Sequence, residues 1–243
     1  MTAESHAIGI DMLPAAQTCL VVAAHPDDIE SWCAGTVRLL TLRGWRAVVV
    51  MCTSGEKGTS DSSAKPHDIA LVRENEQRAS CKILGADDPV FLRMPDGELE
   101  DTASFRGLIV RQIRMWRPYL VMTHDPVRPW PEYTSHRDHR VTGRVVLDAV
   151  YPYARDRLHF PEHSAADALE PHSVSAVWLF SSSQPDHWVD ISSSLMDKIA
   201  ARLAHVSQTS DAERLASDWT ARAARVGAPL GIGPAEAFVQ VQV

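Results

Sequence analysis

Residues 24–30 read Ala-His-Pro-Asp-Asp-Ile-Glu, and residues 136–139 read His-Arg-Asp-His. Each stretch packs imidazole and carboxylate groups into about one turn of chain. His25 and Asp28 are three residues apart, as are His136 and His139. If a helix starts near Pro26, a residue suited to a first helical turn, the side chains of His25 and Asp28 can converge on one point. A catalytic zinc takes three N or O ligands from the protein and leaves a fourth position to water. His25, Asp28 and His139 supply such a set. Asp27 is then free as the base for that water's proton, and His136 as an electrophile or acid. Each stretch alone has a plainer reading. His-Pro-Asp suits a turn, and Asp27, Asp28 or Asp138 could each cap a helix. The complementarity of the two stretches favours the metal site.

Such groups act together only if the fold brings them to one place. Five short runs, 19–25, 47–54, 89–94, 119–124 and 176–182, are apolar and rich in β-branched residues, as buried strands are. Between and after them lie segments with helical spacing: 28–43, stopped by Gly44, 69–84, stopped by Gly85, 103–116, stopped at Arg117-Pro118, 136–154, 193–208 and 211–225. Alternating strands and helices predict an α/β fold, a mostly parallel sheet with helices on both faces. Functional loops in such sheets lie outside the carboxyl ends of the strands. Both chemical stretches follow a strand and open a helix. A length of 243 residues fits one domain over 1–243. Residues 1–16 are expected as a leader arm, and 155–175 as a lid or an insertion.

The formal net charge is −7, and no Lys/Arg-rich run offsets it, which argues against nucleic acid or an anionic membrane as partner. No apolar run approaches the roughly 20 residues of a membrane span, and the N-terminal residues do not form a signal peptide. A cytoplasmic protein is expected. Cys19, Cys33, Cys52 and Cys81 contain no C-x-x-C pair, and Cys19 and Cys52 lie in strand-like runs, where a reduced, buried thiol is expected. A P-loop and a G-x-S-x-G elbow are absent, and Gly231-Ile232-Gly233 does not follow a strand of a βαβ unit.

The Ala-His-Pro-Asp-Asp-Ile-Glu and His-Arg-Asp-His elements, in this order and about a hundred residues apart, resemble the PIG-L/LmbE-like zinc-dependent N-deacetylases. That family includes enzymes acting on N-acetylglucosaminyl intermediates of mycothiol, bacillithiol, glycolipid-anchor and aminoglycoside pathways. The resemblance runs from about residue 18 to 243, with weaker matches at TSGEKG (53–58), RENEQRA (73–79), LG (84–85), PDGEL (95–99) and WVDIS (188–192). It implies a Rossmann-like α/β fold. It also implies one zinc on His25, Asp28 and His139, with Asp27 as general base. His136 would steady the oxyanion in its protonated form or protonate the leaving amine, and Asp138 would orient His136. Glu56, Arg73 and Asp96 would hold substrate hydroxyls, although Arg73 also suits a helix face and Asp96 a Pro-Asp-Gly turn. Some relatives carry a tyrosine two residues before the first His of the second element. Here Thr134 stands there and Tyr133 one residue earlier, so Tyr133 could shift into that role, or Trp130 and Tyr133 could stack on a sugar ring. The substrate implied is an N-acetylated amino sugar, released as free amine and acetate. Relatives are often homo-oligomers. Fe, Co or Mn also suit such N/O ligands.

Three other readings compete. The same site could act as an amidase on a thiol–sugar conjugate. A two-metal phosphoesterase would need more bridging carboxylates than these elements supply. A non-catalytic sugar-binding relative would be expected to lack a ligand or the base, and none is missing.

Overall fold

Strand β2 (Thr18–Ala23) sends Cys19, Val21 and Ala23 into one apolar layer and Leu20 and Val22 into another, all fully buried. A strand covered on both faces must be apolar at every position, which is why this stretch reads as a continuous run. Fully burying each of these Val or Leu side chains contributes roughly 1.5–3 kcal/mol. The computed structural model describes residues 6–7, 9–127 and 135–243. It places β2 inside an eight-stranded sheet of order β1-β7-β8-β6-β5-β2-β3-β4. The other strands are β1 (His6–Ala7), β3 (Arg46–Thr53), β4 (Val90–Met94), β5 (Leu120–His124), β6 (Ala176–Phe180), β7 (His187–Asp190) and β8 (Ala235–Val241). Strand β8 runs antiparallel to β6 and β7, and every other pairing is parallel.

One face of the sheet carries α1 (Asp28–Trp32), α2 (Ala34–Leu42), α3 (Pro66–Leu84), α7 (Leu195–Leu203) and α8 (Ala212–Gly227). The other carries α4 (Ala103–Trp116) and α5 (Arg137–Asp148). The α/β expectation with helices on both faces therefore holds. Strand order reverses between β2 and β5, and a doubly wound sheet opens its crevice at that switch point, outside the carboxyl ends of the strands. Pro26–Asp28 follows β2, and β5 ends at His124.

Some elements differ from the sequence expectation. The helix expected over 28–43 breaks at Cys33 (φ −140°), and α2 restarts with its N-terminal amides on the carboxylate of Glu236. Gly35 allows the new direction, because a Cβ there would stand 2.8 Å from Ile191. The helix expected over 136–154 leaves regular α geometry after Asp148, in a π turn that contains Pro152. Strands β7 and β8 were not expected. Segment 155–175 contains a short helix, α6 (Pro161–Asp167), and packs around Arg114. That buried guanidinium donates to the carbonyls of Tyr153, Ala154, Asp156, His159 and Phe160. His172 bonds the Pro118 carbonyl, and Ser175 bonds Tyr119, so this segment meets the sheet where β5 begins.

Candidate metal centre and active site

His25 occupies the turn after β2, and its two ring nitrogens face different groups. Nδ1 lies 3.5 Å from Asp28 Oδ2. Nε2 lies 3.1 Å from Asp96 Oδ1 and 3.3 Å from Asp138 Oδ2. Burial opposes the His25 cation, but bonds to Asp138, Asp28 and Asp96 outweigh it and lift the pKa to about 11. As a cation His25 carries a proton on each nitrogen. Nε2 is engaged by two carboxylates, so Nδ1, beside Asp28, is the atom that would give up its proton to a metal ion. Histidine ligands are commonly oriented this way, with the second nitrogen donating to a carboxylate.

Asp28 opens α1 with both oxygens engaged. Oδ2 accepts the His25 backbone N–H at 2.8 Å, and Oδ1 lies 3.0 Å from His139 Nε2. Two donors on one tetrahedral zinc, each about 2.0–2.1 Å from the ion, stand roughly 3.4 Å apart. The 3.0 Å and 3.5 Å separations of Asp28 from His139 and His25 match that spacing. Asp28 therefore stands at metal-sharing distance from His139 through Oδ1 and from His25 through Oδ2. Three groups bring their donor atoms within 4.8 Å of one another: His25, His136 and His139; Asp28, His124 and His139; and His25, Asp96 and Asp138, so the three expected ligands are spread over these groups.

His124, the last residue of β5, was not singled out by its sequence. Its Nε2 lies 3.3 Å from the Ala24 amide and 3.2 Å from Asp28 Oδ2. One nitrogen cannot serve both, and the charge-assisted bond to the carboxylate is the stronger. His124 thus donates to Asp28, and Nδ1 is the buried atom left without a partner. Burial, the first cause, pushes its pKa down to about 4. His139 stacks on His124 with ring centroids 4.1 Å apart. The helix carrying His139 comes this close because of Gly143, where a Cβ would stand 2.2 Å from the His124 carbonyl oxygen. An imidazole at the carboxyl end of a central strand, in Thr-His-Asp-Pro (123–126), was the available signal.

Asp27 adopts φ +87°, a left-handed conformation that Asp tolerates better than most residues. Its side chain makes no helix-cap bond. Its N–H donates to Gln77 Oε1 at 3.2 Å, and Ser31 Oγ donates to its carbonyl at 3.0 Å. The carboxylate lies 3.5 Å from Arg73 and 3.7 Å from Arg202. Burial and then Asp28 raise its pKa to about 6 against these cations. Gln77 is itself held by Glu30, a fully buried carboxylate that also receives Ser80 Oγ and faces His205 Nε2 at 3.4 Å. The sequence reading gave Gln77 and Arg202 no role at the site: Gln77 lies in the RENEQRA stretch, where only Arg73 was singled out, and Arg202 lies in none of the matched stretches.

His136 is the exposed residue before α5, and its Nδ1 accepts the Asp138 N–H at 3.2 Å. Its ring centroid lies 4.6 Å from that of His25. Burial, then His25 and His139, lower its pKa. This geometry favours a neutral ring that donates through Nε2, where the sequence reading has a protonated one. The Asp138 carboxylate, expected on His136, instead meets His25, the Gly97 N–H at 2.7 Å and the Leu99 N–H at 3.3 Å.

Asp96 likewise bonds inward, with one oxygen on His25 and the other accepting the Lys57 N–H at 3.1 Å. Burial works against its charge, but His25 prevails and draws the pKa to about 2. Glu56 Oε1 accepts the Asp96 N–H at 2.8 Å. Arg73 is buried and donates to the carbonyls of Gly55 at 2.8 Å and Pro26 at 2.6 Å. It clamps the two loops that frame the site, and Gly55 makes room for it, since a Cβ there would stand 2.2 Å from Nη1. Trp130, Tyr133 and Thr134 lie outside the described residues.

Comparison with known proteins converges on one family. The model for PIG-L, described as GlcNAc-PI de-N-acetylase, matches residues 20–150. A diacetylchitobiose deacetylase of Thermococcus kodakarensis is 35% identical over 192 residues, covering 78% of this chain and 69% of that protein. A mycothiol S-conjugate amidase of Streptomyces coelicolor is 30% identical over 176 residues, covering 64% of this chain and 58% of that protein. The solved structure of N,N'-diacetylchitobiose deacetylase from Pyrococcus horikoshii, complexed with its inhibitor, aligns with a TM-score of 0.84 at 28% identity, over 93% of this chain and 84% of that one. With more than half of its length matched by the family model, the chain belongs to the PIG-L family.

Proposed function

We propose that the protein is a zinc-dependent N-deacetylase of an N-acetylated amino sugar or glucosaminyl conjugate. Family membership makes it a hydrolase of amide bonds. The observation that carries the zinc reading is the division of His25, with Nε2 on Asp96 and Asp138 and Nδ1 toward Asp28, beside His139 at 3.0 Å from Asp28. His25, Asp28 and His139 would hold the ion. When bound, zinc lowers the pKa of a coordinated water to about 7 and polarises the acyl carbonyl.

Asp27 takes the water's proton, and its carboxylate is kept in place by Arg73 and Arg202. His136, with Nδ1 occupied by the Asp138 amide, presents its Nε2–H to the oxyanion of the tetrahedral intermediate. The proton on Asp27 then passes to the departing nitrogen, giving free amine and carboxylate. Glu56 and the loops clamped by Arg73 border the substrate's polar groups. The likeness to the diacetylchitobiose deacetylase supports an N-acetylglucosamine-type substrate. The likeness to the mycothiol S-conjugate amidase supports, as a second reading, amide cleavage on a thiol–sugar conjugate.

Among the described residues no helix is long and apolar enough to cross a membrane. Four buried, unpaired cysteines suit the reducing cytoplasm we infer as its location.

Release of free amine from a panel of N-acetylglucosaminides and thiol-conjugated glucosaminides tests the substrate class. Asp27→Asn should retain zinc by elemental analysis and lose roughly 10²–10⁴-fold in kcat. His139→Ala should lose the zinc. Near-normal turnover in Asp27→Asn contradicts the assignment of the base.

A further inference from the structure

A cavity of about 310 Å³ lies between α1, α8 and the antiparallel strands. Small-molecule sites span roughly 300–1,000 Å³ and combine apolar walls with a few convergent polar groups. Three half-buried indoles, Trp32, Trp188 and Trp219, line this cavity together with Arg222 and Arg225. Lys198 and Glu236 also face it, but Lys198 Nζ lies 2.6 Å from Glu236 and the two neutralise each other. Among the described residues, neither Arg222 nor Arg225 has a carboxylate partner. Arg222 instead stacks on Trp32, its guanidinium carbon 4.2 Å from the ring centroid. Burial and then the neighbouring Arg225 press its pKa down, with Glu236 working partly against them.

Two guanidinium groups without an ion-pair partner among the described residues, lining an indole-walled cavity, are complementary to one chemistry. We propose that this cavity binds a small organic anion, with a carboxylate or phosphate-type group on Arg222 and Arg225 and a planar apolar body among Trp32, Trp188 and Trp219. A guanidinium offers paired donors to such oxyanions, and indole faces supply area for a flat ligand. The cavity shares a wall with the candidate active site. Ser31 and Trp32 belong to α1, the helix that Asp28 opens, and Ser31 Oγ donates to the Asp27 carbonyl. Trp219 also packs under Arg202, which lies 3.7 Å from Asp27. The anion is either the far end of the substrate or a separate molecule.

Calorimetric titration of the full-length, zinc-loaded protein with 1-naphthoate tests the proposal, with neutral 1-naphthamide as control. Saturable binding of naphthoate is expected, at least tenfold tighter than naphthamide and weakened at least tenfold in Arg222→Gln. Circular dichroism and thermal melting confirm that the variant is folded, and Trp219→Leu gives a second, uncharged probe of the same cavity. The absence of saturable binding, or equal binding of naphthamide, overturns the proposal. So does binding that survives Arg222→Gln, which would place naphthoate on the zinc. In a hydrolysis assay, an Arg222-dependent rise in KM at unchanged kcat marks the anion as part of the substrate. An unchanged KM marks a separate ligand. The titration needs no turnover, so it stands or fails independently of the deacetylase reading.

Discussion

The Nε2 of His25 lies 3.1 Å from the carboxylate of Asp96, a residue seventy-one positions later in a Pro-Asp-Gly turn. That contact fixes which nitrogen of His25 is free. Asp96→Asn keeps the shape and removes the charge, so zinc affinity should fall roughly 10–100-fold, as for other carboxylates that orient a histidine ligand. Competition with a chromogenic chelator measures it. An affinity equal to wild type would show that Asp138 alone orients the ring.

Arg73 offers a direct contrast between a clamp and a substrate contact. Its bonds to the Pro26 and Gly55 carbonyls are buried, and bonds from a charged group are worth about 1.5–3 kcal/mol each. Arg73→Met should therefore lower Tm by roughly 10 °C, at about 2–4 °C per kcal/mol for a chain of this size. A variant with wild-type Tm and a raised KM would place Arg73 on the substrate after all.

Glu236 joins the last strand to the first helices. It accepts from the Gly35 and Thr36 amides and the Thr36 hydroxyl, and it pairs with Lys198 at 2.6 Å in a buried site. Removing one partner of a buried pair costs about 3–5 kcal/mol, because the other charge is stranded. Glu236→Ala should show this loss in urea denaturation. Glu236→Ala combined with Lys198→Met should recover part of it. No recovery in the double variant would assign the whole cost to the uncapped helix.

The four thiols give a prediction in pH. Burial raises Cys19, Cys52 and Cys81 to about 12 and Cys33 well above its ordinary value. The reactive species is the thiolate, and a thiol with a pKa near 12 is ionised at pH 8 only on the order of one part in 10⁴. Native protein should therefore resist a thiol-reactive disulfide reagent at pH 8 and release four equivalents only on unfolding. Reaction of even one thiol in the native state at full speed would contradict the burial.

The parallel part of the sheet was legible because its strands are buried on both faces and read as unbroken apolar runs, as in 19–24 and 47–52. That His25, Asp28 and His139 would meet was legible because their spacing and their positions after strands both pointed to one crevice. Strands β7 and β8 were not. β7 has only four residues, and β8 alternates buried with partly exposed positions, a weaker signal at the end of an apolar tail. His124 was hidden as the last residue of a strand, and its role depends on the register between β2 and β5. The inward bonding of Arg73, Asp96 and Asp138 was equally hidden. A sequence names a charged residue but not which loop it will be folded against, and all three meet partners at least eighteen residues away.

The bond between Gly35 and Glu236 also sets an order of events during synthesis. It spans 201 residues, and β8 inserts between β6 and β7. While the chain is leaving the ribosome, α2 has bare amides at its start and two strands wait with unpaired edges. These are closed only when residue 236 emerges. A nascent chain that stalls before that point should thus bind chaperones and be readily degraded, even with every proposed metal ligand already made.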